Sequence, residues 1–485
     1  MGTADFDRAF ALHREGQLAQ AKALYEKILR AQPQHVDALQ LSGVIAGQQR
    51  DFVAAVGFLN RAIGIVPGNA TAYNNRGTAL RNLRRWDEAL ADINKAIELQ
   101  PAKPEAYLNL GNIYRDLGRL SDSLSSYDHA IRLKPDYVMA YCNRGSLLGD
   151  HRKIDAAMAS YDQAIALRPD CAEAQVNQAM LRLLLGDLER GLPQFEWRWR
   201  DPNGTNILER REFGRPLWSG RESLAGRTIL LHSEQGFGDT IQFCRYARLV
   251  ANLGARVILE VHPDQIQLLA SLEGPSQLIG RGEPMPGFDF HCPLMSLPLA
   301  FGTTLDSIPS AGRYLRSDPA KLAVWQTRLG ERMRPRIGLM WSGNPRHQND
   351  HQRSFALADL IDHLPPHCQY FSLQKDIPDQ DRPTLLQHTR IADLSARLTD
   401  FGDTAAVCEC MDLVIAVDTS VAHLSAALGR DTWILLPFNA DWRWLLDRTD
   451  SPWYPTATLH RQERLGDWTG VFGRIGEKLR EKFSV

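Results

Sequence analysis

From residue 2 to about 169, apolar and small residues return at a fixed spacing of 34. An apolar ring or branched side chain falls at Tyr25, Leu59, Ile93, Tyr127 and Tyr161, and a small residue at Gly43, Gly77, Gly111 and Gly145. In the same register stand Ala62, Ala96, Ala130 and Ala164, and Pro33, Pro67, Pro101, Pro135 and Pro169. Self-similarity at such a period marks an array of stacked units. Five units fill this stretch, and a degenerate sixth, carried by Ala179, Leu181 and Phe195, extends the array to about residue 199. The period then stops. DPNGTNILERREFGRPLWSGRESLAG is polar, turn-rich and aperiodic, as a linker over 200–225 should be. Short apolar runs come next. RTILLHSE reads as a buried strand, QGFGDTIQFCRYARLVANLG as a Gly-rich turn feeding an amphipathic helix, and ARVILEVH as the next strand, a pattern repeated weakly to about residue 315. A second set begins at PRIGLMWSG and continues through HCQYFSLQ, TRIADLS, MDLVIAVD and TWILLP, with SVAHLSAALG helical before the last. Alternation of this kind implies parallel sheets with right-handed crossovers, over 226–315 and 316–485.

Charge and cysteine usage narrow the function classes. Lys+Arg (56) nearly cancels Asp+Glu (57), so the basic excess of many nucleic-acid binders is missing. No stretch approaches the ~20 apolar residues that span a bilayer. The opening MGTADFDRAFALHREGQ lacks a secretion-signal pattern, and a cytoplasmic location is expected. Seven scattered cysteines without a CxxC pair argue against a disulfide framework and a zinc module alike. Ten of the eleven tryptophans lie after residue 190, which agrees with two differently built halves.

The first half resembles the tetratricopeptide repeat (TPR), in which two antiparallel helices per unit cross at small residues and a proline ends the second helix. In that register Asn75, Asn109, Asn143 and Asn177 are also 34 apart, on the first helix of successive repeats. First helices line the concave face, so these amides should form a ladder. Each Asn offers a donor and an acceptor, which match the C=O and N–H of an extended peptide. The ladder resembles the one lining the repeat superhelix of protein O-GlcNAc transferases, which implies an acceptor polypeptide in the groove. The alternative is that these residues space or cap neighbouring helices.

In the second half, MDLVIAVDTSVAHLSAALGRDTWILLP delivers Asp418 and Thr419 at a strand's carboxyl end. Ser420 starts a helix that Gly429 closes in the left-handed cap position. Free N–H groups at such a helix start, with the dipole, suit phosphate, and the hydroxyls of Thr419 and Ser420 add donors. His423 lies one turn further, on the face of Thr419. QGFGDTIQF after one strand and DTSVAHLSAALG before another resemble the heptosyltransferase-like GT-B glycosyltransferases. GLMWSGNPRHQNDHQRS, FSLQK, DTSVAHLSAALGR and LLPFNADWRWLLDRTDSPWYP are similar to bacterial proteins that fuse TPRs to such a module, flagellin-modifying enzymes among them. The expected architecture is therefore an all-α TPR solenoid (1–199), a linker (200–225) and an α/β GT-B fold of two Rossmann-like lobes (226–315 and 316–485). Epimerases and periplasmic binding proteins also carry two such lobes; the missing signal disfavours the latter.

An inverting transfer needs a base for the acceptor hydroxyl, donors for the departing phosphate and a nucleotide pocket. The resemblance implies Asp239 as the base; the rival reading is that it caps the following helix. Gly236 and Gly238 permit a tight turn and a close approach to substrate, and Glu234 and Gln235 share that turn. Arg353 falls near the position of a phosphate-binding Lys in heptosyltransferases, and Lys375 resembles the catalytic-lobe Lys of O-GlcNAc transferases; an Arg would hold phosphate bidentately. Asn344, His347, Asn349 and Gln374 complete the polar lining of the donor pocket, against a solvated-loop alternative. Trp442, Arg443 and Trp444, then Trp453 and Tyr454, form an aromatic cluster suited to stacking on a base or sugar, or to packing between lobes. Trp197 and Trp199 are expected at the join of the halves. The resemblance to the GT-B type implies a metal-independent transfer, with the nucleotide sugar as co-substrate and no cofactor. The expected function is transfer of a hexosyl, heptosyl or nonulosonate group to Ser or Thr of a protein in the TPR groove, flagellin by resemblance. Rival expectations are a lipid-linked or polysaccharide acceptor, and a non-catalytic scaffold.

Overall fold

The computed structural model describes residues 2–201, 211–310, 312–345 and 350–483. In it the 34-residue period becomes a series of helical hairpins. They are α1 (Gly2–Arg14) with α2 (Leu18–Ala31), α3 (Val36–Gln48) with α4 (Phe52–Ile65), α5 (Ala70–Asn82) with α6 (Trp86–Leu99), α7 (Pro104–Asp116) with α8 (Leu120–Leu133), and α9 (Val138–Asp150) with α10 (Ile154–Leu167). A sixth pair, α11 (Ala172–Leu184) and α12 (Leu188–Phe195), keeps the spacing. The recurring glycine is set by contact with the recurring apolar residue. A Cβ at Gly43 would lie 2.8 Å from Leu59, at Gly77 2.7 Å from Ile93, at Gly111 2.5 Å from Tyr127 and at Gly145 2.8 Å from Tyr161. The recurring prolines stand just past the ends of α2, α4, α6, α8 and α10, where a missing N–H costs the helix nothing.

Inside each hairpin the chain turns through positive φ, at Gly16, Arg50, Arg84, Gly118, Arg152 and Gly186, with φ from 53° to 82°. These too are 34 apart, although three are arginines rather than glycines. A non-glycine residue there costs about 1–2 kcal/mol. The packing of the two helices it joins holds it in place.

The chain divides into two compact units, Met1–Ala174 and Gln175–Val485. The first is an all-helical TPR solenoid. The second begins within α11, so most of the sixth hairpin belongs to it. Gly186 abuts Leu305, and the buried Arg198 donates 2.9 Å to Glu234 Oε1 and 2.8 Å to Ser296 Oγ. Within the stretch read as linker, Trp218 is buried and Leu217 bridges His291; residues 202–210 lie outside the described residues.

Two wholly parallel sheets complete the second unit. β1 (Thr228–His232), β2 (Arg256–Val261), β3 (Pro275–Gly280) and β4 (Phe290–Pro293) lie in the order β3-β2-β1-β4. β5 (Arg336–Met340), β6 (Gln369–Ser372), β7 (Ile391–Asp393), β8 (Leu413–Val417), β9 (Thr432–Leu436) and β10 (Ala457–Arg461) lie in the order β10-β9-β8-β5-β6-β7. In the larger sheet the order reverses between β5 and β8, and in the smaller between β1 and β4. Crevices at the carboxyl ends of strands at such reversals are where open α/β sheets receive ligands. The larger sheet's core joins Ile337, Leu339, Ile415 and Leu435 to Phe472 and Ile475 of the Thr469–Lys482 helix. Among the described residues no helix is long and apolar enough to cross a membrane.

Candidate functional site

Two helices that follow strands at the reversals meet in the second unit. The Phe237–Phe243 helix comes after β1, and the Ser420–Ala427 helix comes after β8. Their contact is so close that a Cβ on Gly238 would lie 2.8 Å from His423 Cδ2 and 3.6 Å from Ser420 Cα. Gly238 thus serves helix-to-helix contact and faces His423. Tyr314 and Leu315, on the segment between the two sheets, donate to the Ala427 carbonyl at 3.1 and 3.2 Å and close the far end of the second helix. Gly429 stands just beyond in the left-handed conformation, φ 70°.

Thr419 is the N-cap of that second helix in extended backbone, and its hydroxyl donates to Val417 O at 3.2 Å. Helix geometry leaves the first N–H groups, from Ser420 onward, without intrahelical acceptors. Asp418 sits immediately before. Burial works to raise its pKa, but His423, Trp444 and Arg353 outweigh burial and hold the carboxyl below its ordinary value. His423 Nε2 lies 3.7 Å from Asp418 Oδ1, and its Nδ1 meets Tyr454 Oη at 2.9 Å. Arg353 Nη1 donates to the Asp418 carbonyl at 2.8 Å, and its Nε to Asp350 Oδ1 at 3.1 Å, which sets the guanidinium at the β5/β8 reversal. Gly343, at the end of β5, leaves the necessary room: a Cβ there would lie 2.2 Å from Asp350 Oδ1 and 2.8 Å from Arg353 Nη2.

The other expected donor-pocket residues are placed differently. Lys375 is exposed and donates to Thr399 O at 3.0 Å, at the end of β6 rather than at the reversal. Gln374 is buried and spent on backbone, bonded to Ser342 N and O and to Asp376 O. Asn344 is exposed just after β5. His347 and Asn349 lie outside the described residues.

Asp239 occupies the first turn of the Phe237–Phe243 helix. Its Oδ2 accepts from Gly236 N at 2.9 Å, so it reaches back to satisfy the helix start. Its Oδ1 is ion-paired with Arg443 Nη2, an interaction that ties the β1 side of the unit to the β9 side. Arg443 also donates to Asp441 Oδ1 at 2.8 Å. Burial disfavours the Arg443 charge, but Asp441, Asp239 and Asp418 more than offset it and keep the guanidinium protonated. Arg443 Nε is buried and has no hydrogen-bond partner. Two non-glycine residues in left-handed backbone flank the pair: Gln235, φ 58°, before Gly236, and Leu445, φ 56°, after Trp444. Strain of about 1–3 kcal/mol per residue is characteristic of sites that fix a geometry for use. Arg443 was legible in the sequence only as a member of an aromatic cluster; its flanking Asp441 and tryptophans were the available signal.

The aromatic cluster divides by role. Trp453 and Tyr454 are buried, with Trp453 edge-on to Phe243 at 5.6 Å and Tyr454 holding His423. Trp442 stacks on Phe243 at 6.4 Å and lies 6.3 Å from Phe195. It also borders a crevice of about 150 Å³, lined by Val176, Met180, Phe195, Arg198, Gln235, Met295, Asp441 and Arg443 among others. The last repeat and the Asp239 turn thus share one opening. Glu234, next to Gln235, is buried under Arg198 and also accepts from Met295 N at 3.2 Å.

In the first unit Asn75, Asn109 and Asn143 are half-buried on α5, α7 and α9. Asn109 Nδ2 donates to Asn74 Oδ1 at 3.0 Å and Asn143 Nδ2 to Asn112 Oδ1 at 2.9 Å. Asn109 and Asn143 therefore do brace neighbouring helices, and each keeps its carbonyl oxygen for a further partner. Asn74 and Asn112, outside the recurring register, were not legible in the sequence. Asn177 is half-buried on α11, in the second unit.

The tetratricopeptide repeat family matches residues 6–70, 74–138 and 142–203. Protein FlbA of Caulobacter vibrioides is 25% identical over 376 aligned residues, covering 63% of this chain and 61% of the relative. The chain therefore spans about three fifths of the length of that curated relative. Among solved structures, a TPR protein of Thermus thermophilus is 24% identical with a TM-score of 0.33, covering 36% of this chain and 95% of that one. PilF of Pseudomonas aeruginosa is 20% identical with a TM-score of 0.36, covering 42% and 94%.

Proposed function

We propose that the second unit is a glycosyltransferase of the GT-B type, its two parallel sheets forming the two nucleotide-fold lobes, and that the repeats hold a protein acceptor. One observation carries the reading: the turn bearing Asp239, from the smaller sheet, meets the start of the Ser420–Ala427 helix, from the larger, at the reversal of each sheet. A base and a phosphate-binding helix start from separate sheets then face one reacting centre. Arg353 is the favoured cation for the leaving phosphate, since it is held at Asp418, whereas Lys375 is engaged with Thr399. Asp239 takes the proton of an acceptor Ser or Thr hydroxyl as that oxygen attacks the anomeric carbon. The N–H groups of the helix start receive the departing nucleotide phosphate. Carbonyl oxygens along the Asn75, Asn109 and Asn143 series are suited to the N–H groups of an extended acceptor.

One observation favours a second reading, a scaffold with a vestigial transferase: both Asp239 oxygens are engaged, by Arg443 and Gly236. Intact mass spectrometry of candidate acceptors, flagellin first, incubated with the full chain and nucleotide sugars separates the two. Transfer by the wild type that drops about 10²–10⁴-fold in Asp239→Asn supports the base. Undiminished transfer by that variant removes Asp239 from the mechanism, and no transfer from any donor to any acceptor favours the scaffold.

A further inference from the structure

The crevice beside Trp442 lies below the ~300–1,000 Å³ of pockets that enclose a whole drug-sized ligand. It matches a small group, and its wall carries Arg443, a side chain only 8% exposed whose Nε has no partner. A guanidinium that lines such a crevice and keeps a buried, unsatisfied donor has capacity for another acceptor, and phosphate oxygens match the guanidinium fork. Two carboxylates, Asp239 and Asp441, hold it. Arg443 is paired with Asp239 Oδ1 and the Gly236 N–H is bound to Oδ2, so an acceptor hydroxyl approaching Oδ1 competes with the guanidinium for that oxygen.

We propose that Arg443 gates Asp239: the diphosphate of the donor takes Arg443 in exchange for Asp239 Oδ1, and the freed oxygen then accepts a hydrogen bond from the acceptor hydroxyl. Asp441 keeps the guanidinium oriented through the exchange; Arg198 on the same wall is neutralised by Glu196 and Glu234, and Asp201 also lines the crevice, which leaves Arg443 as the group the anion would take. The gate makes donor binding precede base activation, so a hydroxyl meets a competent base only when a sugar is in place. It rests on the transferase reading above, but its test does not need turnover.

The test is calorimetric titration of the full chain with inorganic pyrophosphate, and with UDP, GDP and ADP, at low salt. If Asp239 competes with the anion for Arg443, Asp239→Asn binds pyrophosphate about tenfold more tightly than the wild type. The double variant Asp239→Asn/Arg443→Met, which leaves one carboxylate fewer around the missing cation than Arg443→Met alone, loses that gain; its fold is checked by circular dichroism. Arg443→Lys, which keeps the charge without the fork, falls between them. Equal or weaker binding by Asp239→Asn overturns the gate, as does a folded double variant that retains the gain. Sugar transfer by a chain whose pyrophosphate affinity ignores Asp239→Asn sinks the gate alone. The predicted affinity pattern without any sugar transfer sinks the transferase reading and leaves the anion exchange standing.

Discussion

Asp418 concentrates the electrostatics of the larger sheet in one side chain. Burial alone would push its pKa up, and the net shift below the ordinary value of 3.8 arises from His423, with Trp444 and Arg353. A carboxyl depressed by folding contributes stability that is complete above its unfolded pKa and is lost as the pH falls through the folded one. The melting temperature of the wild type should therefore exceed that of Asp418→Asn by a constant margin above about pH 5 and by a shrinking one toward pH 3. A margin that stays constant across that range would mean that Asp418 is not held as an anion. At this scale the sequence disclosed identities better than engagements. Asp418, Thr419 and His423 were legible from a strand ending in a helix start. The pairing of Asp239 with Arg443 was not, because 204 residues separate the partners and no spacing rule joins them.

The repeating hairpin was the most legible element, since its contacts lie within one period. Each glycine of the first helix meets the apolar residue of the second 16 positions on, and nothing larger than hydrogen fits without displacing it. Gly111→Val should cost about 1–3 kcal/mol of stability by overpacking against Tyr127, read by chemical denaturation of the full chain. A loss below about 0.5 kcal/mol would show that Tyr127 moves aside freely. The left-handed turn residues were less legible. Gly16, Gly118 and Gly186 fit the usual rule, but Arg50, Arg84 and Arg152 carry the same backbone without a glycine signal. Among the strands, β1, β2 and β5 to β9 stood out as apolar runs. β3, β4 and β10 did not: β3 is mostly half-exposed, and β4 and β10 end in or mix polar residues such as His291 and His460.

Over the whole molecule, composition and period disclosed a helical array followed by parallel α/β structure, and the compact units fall at Ala174 and Gln175. The sixth repeat was legible as a repeat but not as part of the second unit, because its attachment rests on contacts distant in sequence, such as Arg198 with Glu234 and Ser296 and Gly186 with Leu305. The near-neutral charge accords with a site that meets anions through a helix start and buried, paired arginines rather than a basic surface. That the second unit receives a nucleotide sugar is the central claim, and it is open to a measurement that needs no acceptor. Thermal unfolding of the full chain is followed across concentrations of UDP, GDP, ADP and CMP, since a ligand that binds only the folded state raises the melting temperature in proportion to the logarithm of its excess over Kd. The account predicts that one of these nucleotides raises it progressively, and that Ser420→Asp, which sets a negative charge at the helix start, abolishes the rise. No shift from any of the four up to millimolar concentration would contradict it.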